Sequence, residues 1–300
     1  MSTPLETTPL TNSFGVKVHN FNLSEISQDG DYPALRALFE EHSALLFTGQ
    51  DLQPRDHMRL AEMFGPVEDR KKDERKPGTA PEVALVSNET TDGVTGEMDL
   101  HTLHLKANQQ WHIDSTFMPE PSLCNILTAK VVTTTGGRTE LASTRAAWAV
   151  MPETLKSQIK GKVLGHNYRR SRERISMELA DLPMFNKWPP QHWPSVWVNP
   201  VNKREALYIA SHAFEVEGMN SSDGEALIDE LIGFCTQPQF VYSHSWEVGD
   251  VLMWDQRATL HRGTPWPYEQ PRTLASVCCS MTDNDGLGAA REQMVDIRKK

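Results

Sequence analysis

His112, Ile113 and Asp114 lie in the run Asn108-Gln109-Gln110-Trp111-His112-Ile113-Asp114-Ser115-Thr116-Phe117, with His261 far downstream, and together they make the tightest demand on this chain's fold. Side chains alternate along an extended strand, so His112 and Asp114 share one face with a single residue between them. A pair at a strand end supplies two ligands of a small octahedral metal site. His261 becomes the third only if the fold returns the end of the chain to its middle. Two histidines and a carboxylate leave three positions open, a donor set that suits non-haem Fe(II) and oxygen chemistry. His-x-Asp alone is a common tripeptide and an isolated histidine is an ordinary hydrogen-bonding residue, so the surroundings carry the weight.

Periodicity gives those surroundings. Gly15 to Leu23 alternates as a strand, and Tyr32 to His42 carries Leu35, Leu38 and Phe39 on one helical stripe. Ser43 to Thr48 is a buried strand. A helix follows Pro54, with Met58, Leu60, Ala61 and Phe64, and stops at Gly65-Pro66. Val83 to Val86 is a strand, and Thr144 to Ile159 is one helix bearing Trp148, Met151, Leu155 and Ile159. Ser222-Asp223-Gly224-Glu225 has the form of a capping box. Phe240 to Trp246, Val251 to Trp254 and Thr273 to Ser280 read as strands, with a turn at Gly249-Asp250. Residues 1–13 read as a loose leader, 67–80 as a charged mobile loop, and 88–108 as an irregular lid before the ligand pair. No repeat or linker breaks the chain. The expectation is one α+β domain over residues 1–300, built around a β-sandwich or jelly roll and braced by helices.

Composition narrows the function classes. Forty acidic residues against 30 basic give a net charge of −10, which disfavours a nucleic-acid partner. No stretch of about 18 apolar residues suggests a membrane span, and the N-terminus lacks the layout of a secretion signal. Cys124, Cys235, Cys278 and Cys279 form no CxxC pair, so reduced thiols in a cytoplasmic protein are expected. A homo-oligomer is left open. His19, His42 and His57 are read as surface or helix-face residues.

Further motifs surround the ligand set: Phe64-Gly65-Pro66-Val67-Glu68, Gly136-Gly137-Arg138-Thr139, Gly249-Asp250-Val251-Leu252-Met253-Trp254-Asp255, and Arg272 after His261. With Trp111 to Phe117, in this order and at these intervals, the chain resembles the Fe(II)/2-oxoglutarate-dependent dioxygenases of the taurine dioxygenase and 2,4-dichlorophenoxyacetate dioxygenase type. The resemblance covers nearly the whole chain. It implies a double-stranded β-helix core, with His112, Asp114 and His261 as ligands of Fe(II) and O2 as a cosubstrate. It further implies that Arg272 pairs with the distal carboxylate of 2-oxoglutarate, that Thr139 hydrogen-bonds to the same molecule, and that Trp254 walls the iron pocket. A planar guanidinium suits a carboxylate because it donates in bidentate fashion.

Ser87-Asn88, Asn108 and Trp111 to Pro119 resemble the aryloxyalkanoate (phenoxypropionate) branch, whose members hydroxylate the carbon beside an ether oxygen. The implied substrate is a small organic acid. Asn108 and Phe117 match positions that line the substrate pocket, and His212 is a further candidate contact. Ser276 stands where taurine-type enzymes carry a substrate-anion arginine, and Ser211 where phenoxypropionate enzymes carry another. An anion clamp from Arg169, Arg170, Arg172 and Arg174 is the alternative, and a solvated charged face is the plainer reading of those four. An N-substituted amino acid or a sulfonate is the other substrate reading. Rival classes are a zinc-dependent hydrolase on the same triad and a non-catalytic jelly-roll binding protein.

Overall fold

The computed structural model describes residues 5–76, 78–90, 93–96 and 99–299. Its largest sheet has seven strands, in the spatial order Thr7–Pro9, Val16–Val18, Ala44–Phe47, Val251–Asp255, Ser122–Val131, Thr273–Ser280 and Ala84–Ser87. Neighbours are antiparallel except Val16–Val18 beside Ala44–Phe47. A second sheet sets Thr139–Ser143 between Val241–His244 and Thr259–Gly263. Helices and strands mix along the chain, as an α+β fold requires. Among the described residues, no ladder joins the two sheets into a closed barrel.

Two cores explain why the central strands read as unbroken apolar runs. Val251 and Met253 face the helices Tyr32–His42 and Pro54–Phe64, packing with Phe39, Leu60 and Phe64. Leu252 and Trp254 point the other way and pack with Leu141 and Tyr242 of the second sheet. A strand covered on both faces loses its polar alternation. Ala44–Phe47 does the same, with Leu45 and Phe47 on the helix side and Ala44 and Leu46 between the sheets.

Several expectations need correction. The leader is partly ordered: Thr7–Pro9 pairs with Val16–Val18, while residues 1–4 lie outside the described residues. The Gly15 to Leu23 strand shrinks to Val16–Val18. The segment 88–108 contains a short hairpin, Glu89–Thr90 with Gly93–Val94, and a helix, Leu100–Ala107, whose Thr102, Leu105 and Ala107 are buried. Residues 91, 92, 97 and 98 of that segment, and Pro77 of the charged loop, lie outside the described residues. The helix expected from 144 to 159 is two, Thr144–Val150 and Glu153–Ile159, because Met151 precedes Pro152 and is driven to an extended conformation (φ −61°, ψ 135°). The capping role falls to Asn220, whose side chain accepts from the Asp223 N–H, rather than to Ser222. His57 lies on the buried face of its helix, with Nε2 donating to the Ile126 carbonyl at 2.9 Å. Among the described residues, no helix is long and apolar enough to cross a membrane.

Candidate metal centre

The chain brings its middle to its end through backbone. His112 N–H donates to the His261 carbonyl at 3.0 Å and His261 N–H donates to the His112 carbonyl at 2.8 Å, which adds His112 to the edge of the Thr259–Gly263 strand. Gly263 N–H donates to the Asn108 carbonyl at 3.0 Å, extending the alignment back to the end of the Leu100–Ala107 helix. The strand reading of His-x-Asp holds only at this one bridge. Asp114 already lies in a turn, and Ser115 after it takes a left-handed backbone (φ 58°).

The turn still delivers the carboxylate. One donor atom from each of His112, Asp114 and His261 lies within 4.8 Å of the others. Asp114 Oδ1 is 3.8 Å from His112 Nε2, and Oδ2 is 3.5 Å from His261 Nε2. His112 Nδ1 is 2.8 Å from the Gln110 carbonyl. A carbonyl only accepts, so Nδ1 carries the proton and Nε2 keeps its lone pair for a cation. Asp114 Oδ2 accepts from Gln256 Nε2 at 2.6 Å and Asn125 Nδ2 at 2.9 Å, which leaves Oδ1 free. Burial pushes His261 down to about 3 and lowers His112, so both imidazoles are neutral and able to serve as ligands. Burial alone would raise Asp114, but His261, His112 and Arg70 and the Asn125 hydrogen bond hold it below the usual carboxylate range. Trp254 is fully buried with its ring 4.7 Å from that of His261, a wall on one side of the set.

Thr139 pairs with Gly263, two residues along the strand from His261, and Arg272 stands just before the Thr273–Ser280 strand. Arg272 is buried and starts beside the Thr273–Ser280 strand, its backbone N–H donating to Asn88 Oδ1 at 2.8 Å. Its Nε donates to the Gly137 carbonyl at 3.0 Å, and no carboxylate among the described residues pairs with it. Burial without a counter-ion lowers it to about 10. Gly136 and Gly137 both have positive φ (70° and 61°); a Cβ on Gly136 would meet the Pro265 carbonyl at 2.3 Å, and one on Gly137 would meet Arg272 Nε at 3.1 Å. That is the physical reason for the glycine pair. A cavity of about 410 Å³ opens here, lined by Arg272, Trp246 and the 132–138 loop and not by the metal set. Thr139 is buried, and its hydroxyl accepts from Trp246 Nε1 at 3.0 Å.

The substrate candidates separate. Phe117 stacks on Tyr168 (3.7 Å, 7°), and His212 stands edge-on to Phe117 at 5.0 Å and to His112 at 6.0 Å. Ser211 N–H donates to the Trp111 carbonyl at 3.0 Å, next to His112, and the Asn108 carbonyl accepts from Gly263, two residues after His261. Ser276 is drawn instead into the support of the metal set, since its hydroxyl donates to Asn125 Oδ1 at 2.9 Å. Sequence reasoning missed Asn125, Gln256 and Arg70. Arg70 looked like part of a solvated charge run, yet it pairs with Glu68 and donates to Ser115 Oγ at 2.9 Å. Gln256 carried a faint signal, lying directly after the Trp254-Asp255 motif.

Comparison with known proteins shows the family of the chain. Residues 6–278 match the family described as taurine catabolism dioxygenase TauD, TfdA family. The 2,4-dichlorophenoxyacetate dioxygenase of Cupriavidus pinatubonensis is 34% identical over 270 residues, spanning 89% of this chain and 94% of that protein. The (S)-phenoxypropionate/alpha-ketoglutarate-dioxygenase of Sphingobium herbicidovorans is 31% identical over 283 residues, spanning 91% and 94%. Among solved structures, AAD-2 in complex with Mn(II) and N-oxalylglycine superposes with a TM-score of 0.86 at 29% identity, covering 94% of this chain and 99% of that one.

Proposed function

The chain belongs to the taurine catabolism dioxygenase TauD, TfdA family, and on that premise we propose that it oxidises a small aryloxyalkanoate acid at a site whose ligands are His112, Asp114 and His261. It is an Fe(II)- and 2-oxoglutarate-dependent dioxygenase. Bound Fe(II) supplies the activation of O2, coupled to conversion of 2-oxoglutarate to succinate and CO2. The protein supplies placement. In this reading Arg272 takes the distal carboxylate of 2-oxoglutarate, Thr139 offers its hydroxyl to the same molecule, and Trp254 shields the metal side. Phe117, His212, Ser211 and Asn108 face the substrate. Two relatives named for ether-linked acids, 2,4-dichlorophenoxyacetate and phenoxypropionate, support the substrate class. Hydroxylation of a carbon beside an ether oxygen gives a product that collapses to a phenol and a carbonyl compound.

The whole chain is read as one domain, its two facing sheets as the halves of a double-stranded β-helix. A cytoplasmic setting fits four cysteines that are all unpaired. The observation that carries the reading is the triad itself, with a lone pair free on His112 Nε2 and Oδ1 free on Asp114. Anaerobic addition of Fe(II) and 2-oxoglutarate should give a weak visible charge-transfer band, absent in His112→Ala and Asp114→Ala. Succinate release should then rise with a phenoxyacetate or phenoxypropionate over taurine. Succinate release at wild-type rates in either variant would sink the ligand assignment.

A further inference from the structure

The short helix Tyr168–Glu173 and the residue after it carry four arginines, and the structure treats one of them differently. Arg169 pairs with Glu173 and Asp181, Arg170 with Glu225, and Arg174 with Asp229. Arg172 turns inward, is 3% exposed, and meets no carboxylate among the described residues. Its Nη1 donates to Ser171 Oγ at 2.7 Å and its Nη2 to Tyr168 Oη at 3.4 Å, while Nε has no hydrogen-bond partner. The guanidinium lies over the rings of Tyr168 and Phe185, at 4.3 and 4.8 Å. Arg145 and Arg257, also buried, both pair with Asp255, and Arg257 reaches Glu40 as well. A buried cation without a counter-ion is unfavourable, and ring faces offset only part of that.

Its surroundings point to an anion. Through Tyr168, Arg172 adjoins the metal set: that ring stacks on Phe117 at 3.7 Å, and His212 stands edge-on to Phe117 at 5.0 Å and to His112 at 6.0 Å. The Nδ1 atoms of His104 and His212 and the Ser211 hydroxyl are buried without hydrogen-bond partners. Arg70, on the same ring cluster, is committed to Glu68 and Ser115. Ser276 is committed to Asn125. Among the described residues, the other buried arginine without an acid is Arg272, which the reading above assigns to 2-oxoglutarate.

Resting on that reading, we propose that Arg172 binds the anionic group of the substrate, a carboxylate or a sulfate, so that the rest of the substrate lies between Phe117, His212 and the metal set. This places the anion grip on a helix outside both sheets, where neither Ser276 nor Ser211 supplies one.

The test is calorimetric titration of the Mn(II)- and N-oxalylglycine-loaded protein with 2,4-dichlorophenoxyacetate, its neutral amide, and hexyl sulfate. The two anions separate a carboxylate from a sulfate preference, and the amide measures what the charge contributes. Arg172→Met should weaken the preferred anion by ~100-fold, bring the acid-to-amide ratio close to unity, and raise Tm, because an unpaired buried charge is replaced by an apolar chain of similar reach. A purely structural Arg172 predicts the reverse: a lower Tm and an unchanged ratio, which overturns the proposal. Should Arg172→Met fail to fold, Arg172→Lys decides, with ~10-fold weaker anion binding expected and a wild-type ratio overturning. Wild-type protein that binds N-oxalylglycine but neither anion also overturns the Arg172 assignment alone. Failure to bind N-oxalylglycine overturns the cosubstrate reading as well.

Discussion

Asp114, a ligand in the proposed function, shows how much the placement of one carboxylate depends on its neighbours. Its Oδ2 is fixed by two amides, Gln256 and Asn125, and Asn125 is in turn oriented by the Ser276 hydroxyl. Gln256 Oε1 also accepts from the Asp114 backbone N–H at 3.1 Å, so one side chain positions both ends of the residue. Removing either amide frees the carboxylate to rotate and removes the bond that separates Oδ2 from Oδ1. Asn125→Ala and Gln256→Ala should each weaken Mn(II) binding by roughly 10- to 100-fold, the usual effect of losing such support, with Gln256→Ala the larger. Calorimetric titration of the apo-protein measures this. Wild-type affinity in both variants would show that the turn alone holds Asp114. Ser276→Ala should act in the same direction and more weakly, because it touches only the relay.

At the scale of elements, the charged stretch after Pro66 is anchored rather than free. Glu68 N–H donates to the Cys278 carbonyl at 2.8 Å, and its buried carboxylate accepts from Ser115 Oγ at 2.6 Å while pairing with Arg70. Glu68, Arg70 and Ser115 thus tie this loop to the turn that presents Asp114. Glu68→Ala should lower stability by about 2 kcal/mol, since it leaves a charged donor and a hydroxyl without their acceptor, and should also weaken Mn(II) binding. Urea unfolding and calorimetry measure the two effects; a stability loss with unchanged metal affinity would show that the tie does not position the metal turn. The elements legible from sequence were those whose packing is local and one-sided or fully covered, such as Tyr32–His42, Pro54–Phe64 and Thr273–Ser280. The misread ones turned on single residues. Pro152 cuts a helix that apolar spacing makes continuous, and Leu100–Ala107 is too short and polar to show a stripe. Motif and interval singled out His112, Asp114 and His261, which the structure brings together, as well as Arg272 and Thr139, whose roles toward 2-oxoglutarate belong to the proposed function. Asn125, Gln256 and Arg70 were not singled out, because what they do depends on contacts between segments far apart in the chain.

Across the whole molecule, burial makes the histidines a store of acid sensitivity. Seven of them (His42, His57, His104, His112, His166, His212 and His261) are pushed below the ordinary value, with burial the first cause in each. His57 is the cleanest to isolate, because it is no part of the metal set and its ring bonds the Ile126 carbonyl of the central Ser122–Val131 strand. Burial and, against the Ile126 bond, the charge of Lys130 bring it down to about 4. The unfolded chain takes up a proton near 6.5 while the folded chain refuses it until about 4. Between those values the unfolded state binds more protons, so stability rises with pH and falls as pH drops from 6.5 toward 4. Its full contribution is on the order of 3 kcal/mol, present above 6.5 and lost by the time pH reaches 4. His57→Gln keeps a donor for Ile126 and removes the titration. Unfolding in urea at pH 7.0 and pH 4.5, with chelator present to remove metal-linked protons, should show a stability drop about 2 kcal/mol smaller in His57→Gln than in wild type. The remaining buried histidines keep the variant acid-sensitive. An identical drop in the two proteins would mean that His57 gains its proton without unfolding, and that the helix Pro54–Phe64 opens locally from the Ser122–Val131 strand before the rest of the molecule yields.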